Sequence, residues 1–363
     1  MSYLPRIDRK CMILVALALL IRLFATQPGW VEQYYSRGIY PWLAFGGRSL
    51  LGWIPFSIGD ILYGLAMVYL GYALVKGVRN YRNSSSKKMW AKDFLRSLLN
   101  AALLIYIVFQ SFWGLNYSRQ GIASQLELKV LPYTLKDLGI VAEQLQYRLE
   151  QTAPQVDTVG RLHFNQNRNL LYAGMAAYAQ AEVEHPFLRY QAPSVKPSLF
   201  TSLGHLVGFT GYYNPFTFEA QIKTSVPVFL KPFIVTHEMA HQLGYAKESE
   251  ANFVAFLTGK SATNADVRYS IYFELFLYTL SDIRRSDTTM ANSLRQAAPP
   301  QVQRDLAAFA DYLEKSRNPV EPYMARIYDA YLRWNNQPKG RMSYNEVIAW
   351  LVAYGKKYGR GAI

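Results

Sequence analysis

The chain has 363 residues, 51% hydrophobic and 15% aromatic but only 18% charged, with 39 Lys/Arg against 25 Asp/Glu and a formal charge of +14. This composition excludes a disordered chain, and the lone Cys11 excludes a disulfide scaffold or a cysteine-ligated zinc finger. The placement of charge argues against nucleic acid as a partner: of the 13 Lys/Arg in residues 1–116, seven (Lys76, Arg79, Arg82, Lys87, Lys88, Lys92, Arg96) crowd between two apolar stretches instead of forming a basic face on a folded domain.

Three apolar stretches, residues 11–26, 54–75 and 97–116, predict transmembrane helices, since about 20 apolar residues cross a hydrocarbon core of ~30 Å. The first also has the basic start and apolar middle of a signal peptide, but Phe24-Ala25-Thr26-Gln27 is a poor cleavage site, so it is read as a retained span. The basic N-terminus (Arg6, Arg9, Lys10) and the 76–96 loop are expected on the cytoplasmic side. The 27–56 loop, rich in Trp30, Tyr34, Tyr35, Tyr40, Trp42 and Trp53, suits an aromatic belt at the other interface. The expected arrangement is a membrane anchor at 1–117, embedded in lipid bilayer, and an extracytoplasmic domain at 118–363.

That domain reads as mainly α, in an α+β arrangement. Thr134 is a predicted N-cap for a helix carrying Leu135, Leu138, Val141, Leu145 and Leu149, and a second helix is expected over 170–184. Residues 193–228 carry Gly, Pro, Thr and aromatics in short alternating runs, predicting a small sheet or hairpin. Helices are then expected near 230–243, 248–259, 266–284, 300–316, 319–335 and 343–355.

The chemistry concentrates in Thr236-His237-Glu238-Met239-Ala240-His241-Gln242-Leu243-Gly244. Two histidines four apart on a helix project from one face and can share Zn²⁺, with Glu238 on the flank as a general base. A hydrolytic zinc site needs a third protein ligand and an open position. Gly244 can end the helix in a left-handed conformation, leading to Glu248 at the start of the next; Glu250 is the second choice. Asn252 shares the face of Glu248 and can hydrogen-bond a ligating imidazole. No uncharged run of 18 residues surrounds these groups, which argues against a site inside the bilayer.

His237-Glu238-x-x-His241 with Glu248-x-x-Ala251-Asn252 resembles the gluzincin metallopeptidases. More closely, Trp113-Gly114-Leu115-Asn116-Tyr117, the Gly211–Ala220 segment (Gly-Tyr-Tyr-Asn-Pro-Phe-Thr-x-Glu-Ala) and His237–Leu257 are similar to a bacterial membrane-protein family known only as a domain of unknown function, over nearly the whole chain. The resemblance implies that His237, His241 and Glu248 bind zinc and that Glu238 is the base. The site departs from metzincins, whose third histidine would stand where Lys247 is. In gluzincins the strand before the motif helix pairs with an extended peptide, so Tyr212, Tyr213 and Asn214 are candidates to line a substrate cleft or stabilise an oxyanion, as are His205 and Tyr245. His163 and His185 are read as surface or structural residues, and the Arg333–Lys339 cluster near Trp334 as a solvated helix end.

The expected function is that of a zinc-dependent peptidase in a bacterial cytoplasmic membrane, acting on a peptide or protein. The alternative is a catalytically weak, zinc-stabilised binding or assembly module.

Overall fold

The computed structural model describes residues 9–157 and 159–363, apart from the side chain of His205; Arg6 and Thr158 lie outside the described residues. Helix α1 (Arg9–Ala25) ends at Thr26-Gln27, where Gln27 leaves helical geometry ahead of Pro28. A helical run follows that sequence reading treated as a loop: a turn at Pro28–Trp30, a wide π-helical stretch at Val31–Ile39, and α2 (Tyr40–Leu51). Helices α3 (Ile58–Asn83) and α4 (Lys87–Phe112) then form an antiparallel pair joined at Ser84–Ser86.

Among the described residues two helices, α3 and α4, are by themselves long and apolar enough to cross a membrane, where three spans were expected. The 17-residue α1 reaches that standard only when joined to Pro28–Leu51 across a bend of 94°. It packs along α4. The basic stretch at 76–96 is also not a loop. Lys and Arg are good helix formers, so α3 runs on to Asn83, and Ser86 caps α4 by accepting a hydrogen bond from Met89 N.

The other end of α3 is docked into the sheet. Ser57 Oγ accepts from Asp60 N, and the Glu219 carboxylate accepts from Ile58 N and Gly59 N, at 3.3 and 2.6 Å. A buried acid thus meets the unsatisfied amides and positive pole of the helix N-terminus, and Lys196 Nζ compensates its charge. Tyr212 and Ser198 donate to Asp60 in the same first turn.

The sheet has three strands, β1 (Val195–Pro197), β2 (Gly211–Asn214) and β3 (Glu219–Ile222), in the order β1-β3-β2. β2 and β3 form the expected hairpin with Tyr213 opposite Ala220, and β1 adds in parallel with Val195 opposite Ala220. Helices α5 (Leu135–Thr152), α6 (Asn167–Glu184), α7 (Lys231–Gln242), α8 (Glu248–Ser261) and α9 (Ala265–Ser286) build the core, with α10 (Thr288–Ala297), α11 (Pro300–Ser316), α12 (Glu321–Trp334) and α13 (Val347–Tyr358) around them. Thr134 caps α5 as expected, in a reciprocal capping box with Asp137. The motif helix α7 is buried along its whole length, between α6, α8 and α9 on one side and the sheet on the other.

A second apolar cluster joins the expected anchor to the domain. Val31, Tyr35, Tyr40 and Ala44 pack with Trp113, Leu115 and Tyr117 after α4 and with Phe218 and Ala246. The expected aromatic belt therefore divides: Trp30, Tyr34, Trp42 and Trp53 are exposed, but Tyr35 and Tyr40 are buried in this cluster. Beside it Arg119 grips Glu32 through two nitrogens, at 2.8 and 2.7 Å, both side chains being buried. Removing one partner leaves an uncompensated buried charge, so Glu32→Ala is expected to destabilise the chain by about 3–5 kcal/mol, read as a fall in melting temperature in detergent.

Candidate metal centre

Helix α7 is pinned at several points. Phe233 N donates to Ser270 Oγ at its start, and Tyr178 OH donates to Thr236 O in its middle. At its C-terminal end, where carbonyls lack intrahelical partners, Tyr40 OH donates to His241 O and Gln242 O, and Arg48 Nη1 donates to Gln242 O at 2.8 Å. Gly244 then adopts φ +87°, the left-handed turn expected after the motif. A side chain there would meet the Tyr40 ring at 2.9 Å, so both the dihedral and the space require glycine.

That turn aims Glu248 at the histidines. Glu248 Oε2 lies 3.2 Å from His237 Nε2 and 3.6 Å from His241 Nε2, and the three ligand atoms all fall within 4.8 Å of one another. Two ligands each about 2.0–2.1 Å from one ion at a tetrahedral angle sit about 3.3 Å apart, so the spacing fits a shared cation. The far side of each ligand is already held. Asn252 Nδ2 donates to Tyr344 O, which turns its Oδ1 toward His237 Nδ1 at 2.7 Å; His241 Nδ1 faces Tyr245 O at 2.7 Å. Both acceptors require a proton on Nδ1, which leaves Nε2 as the ligating nitrogen. Tyr328 OH donates to Glu248 Oε1 at 2.8 Å, whereas Oε2 is buried without a hydrogen-bond partner among the described residues. A buried carboxylate oxygen aimed at two imidazoles and otherwise unsatisfied is chemically suited to a divalent cation. The His237, His241 and Glu248 group could therefore hold a metal ion.

Glu238 stands beside this group, with Oε2 buried and without a hydrogen-bond partner among the described residues. A Cβ on Gly211 would come within 2.5 Å of Glu238 Oε1 and 2.9 Å of Ile234, so the glycine lets edge strand β2 press against the motif helix. Burial pushes the Glu238 carboxyl up to about 8, with His241 opposing and the Glu248 charge adding to the rise. Burial would lower His241, but its contacts with Glu248 prevail and hold it up to about 9. Glu248 is held below the usual carboxylate range: burial would raise it, and the two imidazoles outweigh that.

The other expected groups separate from this centre. Glu250 turns toward Lys247, at 3.5 Å, and toward Gly121. Tyr212 bonds Asp60 and Ser198, Tyr213 bonds the Tyr40 hydroxyl, and Asn214 Oδ1 accepts from Phe216 N and Thr217 N in the hairpin turn. Tyr212 and Tyr213 serve the junction between the sheet and the helices beside it, and Asn214 fixes the hairpin turn. Tyr245 OH donates to Gln125, its ring lying under Arg119. His163 is exposed; His185 is mostly buried, and burial lowers its pKa.

Sequence reading missed the groups that close over the centre. Tyr344, in the 3-10 turn Gly340–Glu346, stacks toward His237 with ring centroids 6.3 Å apart, and its hydroxyl lies 3.2 Å from that of Tyr328. Tyr117 and Tyr331 hydroxyls meet at 3.1 Å, Trp113 stands edge-on to His241, and Gln337 accepts from Glu248 N. The Trp113–Tyr117 segment was singled out by resemblance, but nothing in its local pattern tied it to the motif.

Two outcomes follow for metal uptake. A cation must displace the proton that His241 holds up to about pH 9, so Zn²⁺ binding is expected to release a proton near neutrality and to tighten as pH rises toward that value. Calorimetric titration in buffers of different ionisation enthalpy measures both. Asn252→Ala, which frees the His237 ring, is expected to weaken Zn²⁺ binding about 10- to 100-fold in the same titration.

No curated protein and no solved structure matches the chain. A family model does, over residues 35–352, a span that includes the buried cluster around Tyr40, the sheet, the motif helix and the tyrosines that cover it. The chain belongs to that family, described as "Protein of unknown function (DUF3810)".

Proposed function

We propose that the chain is a membrane-anchored, zinc-dependent peptidase of the gluzincin type, with His237, His241 and Glu248 as zinc ligands and Glu238 as general base. The observation that carries this reading is the convergence of both Nε2 atoms on an otherwise unsatisfied Glu248 oxygen, with Glu238 Oε2, also without a hydrogen-bond partner among the described residues, alongside. Zinc held there supplies a Lewis acid that polarises a carbonyl and lowers the pKa of water. Glu238 takes the proton of the attacking water and returns it to the leaving amine nitrogen; a structural site would need no such base. Edge strand β2, which carries Gly211 against Glu238, offers its free side to an extended peptide. Tyr328 holds Glu248, and Tyr344 borders the reaction space from the opposite wall.

In this reading α1 is a third span, the N-terminus is cytoplasmic and the domain faces away from the cytoplasm. The basic helix ends around Ser84–Ser86 lie at the far end of the α3–α4 pair from the domain, as a positive-inside arrangement requires. The second reading, a zinc-stabilised binding or assembly module, is favoured by one observation: His237, Glu238, His241 and Glu248 are each at most 6% exposed.

Glu238→Gln separates the two. As a peptidase, the variant is expected to keep its zinc and to lose about 100- to 10,000-fold in hydrolysis of a fluorogenic peptide library. If zinc-loaded wild type cleaves nothing that the variant does not, the binding-module reading takes its place.

A further inference from the structure

Helix α12 is apolar on two faces. Leu332 is fully buried and Tyr328 reaches Glu248, whereas Tyr323, Ile327 and Trp334, at four- and seven-residue spacing on the opposite face, are 66%, 63% and 81% exposed. Arg326, Asp329 and Arg333 occupy one flank between the two. The Arg333–Lys339 cluster is solvated as expected, but three large apolar side chains in a row along the same helix mark a surface suited to more than water.

A second element with exposed apolar side chains adjoins α12. α12 packs on the short helix Gly204–Val207, and Gly208, at φ +79°, lies against the Glu321 side chain. Leu199, Leu203 and Leu206 of that adjoining segment are exposed as well. The segment begins where α3 begins: Leu199 N and Ser198 Oγ both donate to Asp60 Oδ2, at 2.7 and 3.2 Å. The segment that α12 packs on thus starts beside the first turn of a helix long and apolar enough to cross a membrane.

We infer that α12 and the Leu199–Val207 segment lie in the interface of the leaflet that α3 enters, with lipid covering their exposed apolar face. Amphipathic helices seat in this way, with aromatic and aliphatic side chains at the acyl boundary and arginines along the polar flank. The inference rests on α3 crossing the bilayer and not on the metal centre.

The test uses the full chain with Cys11→Ser, carrying a single cysteine at Ile327, Trp334 or Leu203, labelled with a nitrobenzoxadiazole dye. The reference is a cysteine at Tyr147, exposed on α5, whose packing partners are α9 and α13. In phosphatidylcholine vesicles containing nitroxide-labelled lipid, the dye at Ile327→Cys, Trp334→Cys and Leu203→Cys is expected to show blue-shifted emission and quenching several-fold stronger than at Tyr147→Cys. Quenching equal to that at Tyr147→Cys overturns the inference. A blue shift without lipid quenching also overturns it, because the face is then covered by protein, a second copy included. The same quenching in a His237→Ala background keeps this result separate from any failure of the peptidase reading.

Discussion

The geometry of the molecule is organised around one buried juxtaposition: two imidazoles a helical turn apart facing a single carboxylate oxygen from the following helix. Such an arrangement is unfavourable by itself, since three polar groups have left water and the carboxylate oxygen has no other partner among the described residues. It persists because every ligand is fixed from behind. Asn252, the Tyr245 carbonyl and Tyr328 determine which atoms face inward, and Tyr344 O in turn determines which way Asn252 faces.

The membrane-proximal part of the chain belongs to this scaffold. Tyr40 and Arg48 reach the last carbonyls of the motif helix, Trp113 stands against His241, and Glu219 caps the N-terminus of α3 with a strand that neighbours β2. A tilt of α3 or α4 would thus act on the sheet edge and on the end of the helix that carries both histidines.

The centre itself was legible because its signals are local. His237 and His241 are four apart, Gly244 marks the turn, and Glu248 and Asn252 are again four apart, so helical periodicity sets each pair on one face. A small sheet or hairpin within 193–228 and most helix positions could be read for the same reason, but not the parallel strand β1 that completes the sheet. What escaped depends on partners distant in sequence. The Pro28–Leu51 run looks like an interfacial loop until its packing against Phe218 and Ala246 is seen, and Tyr328 and Tyr344 carry no mark that they close over a site about 80 to 100 residues earlier. Tyr212, Tyr213 and Asn214 sit on the expected strand, but their side chains turn to Asp60, Tyr40 and the hairpin backbone. Three spans became two clear ones because the break at Gln27-Pro28 leaves α1 only 17 residues long.

The central claim is that His237, His241 and Glu248 together hold one divalent cation. Its most direct test is zinc K-edge absorption spectroscopy, combined with elemental analysis, on the full chain purified without chelator. The expected result is about one zinc per chain in a first shell of nitrogen and oxygen with no sulfur, the signal being lost in Glu248→Ala. Folded protein that contains no zinc and takes up none when Zn²⁺ is added would contradict the account.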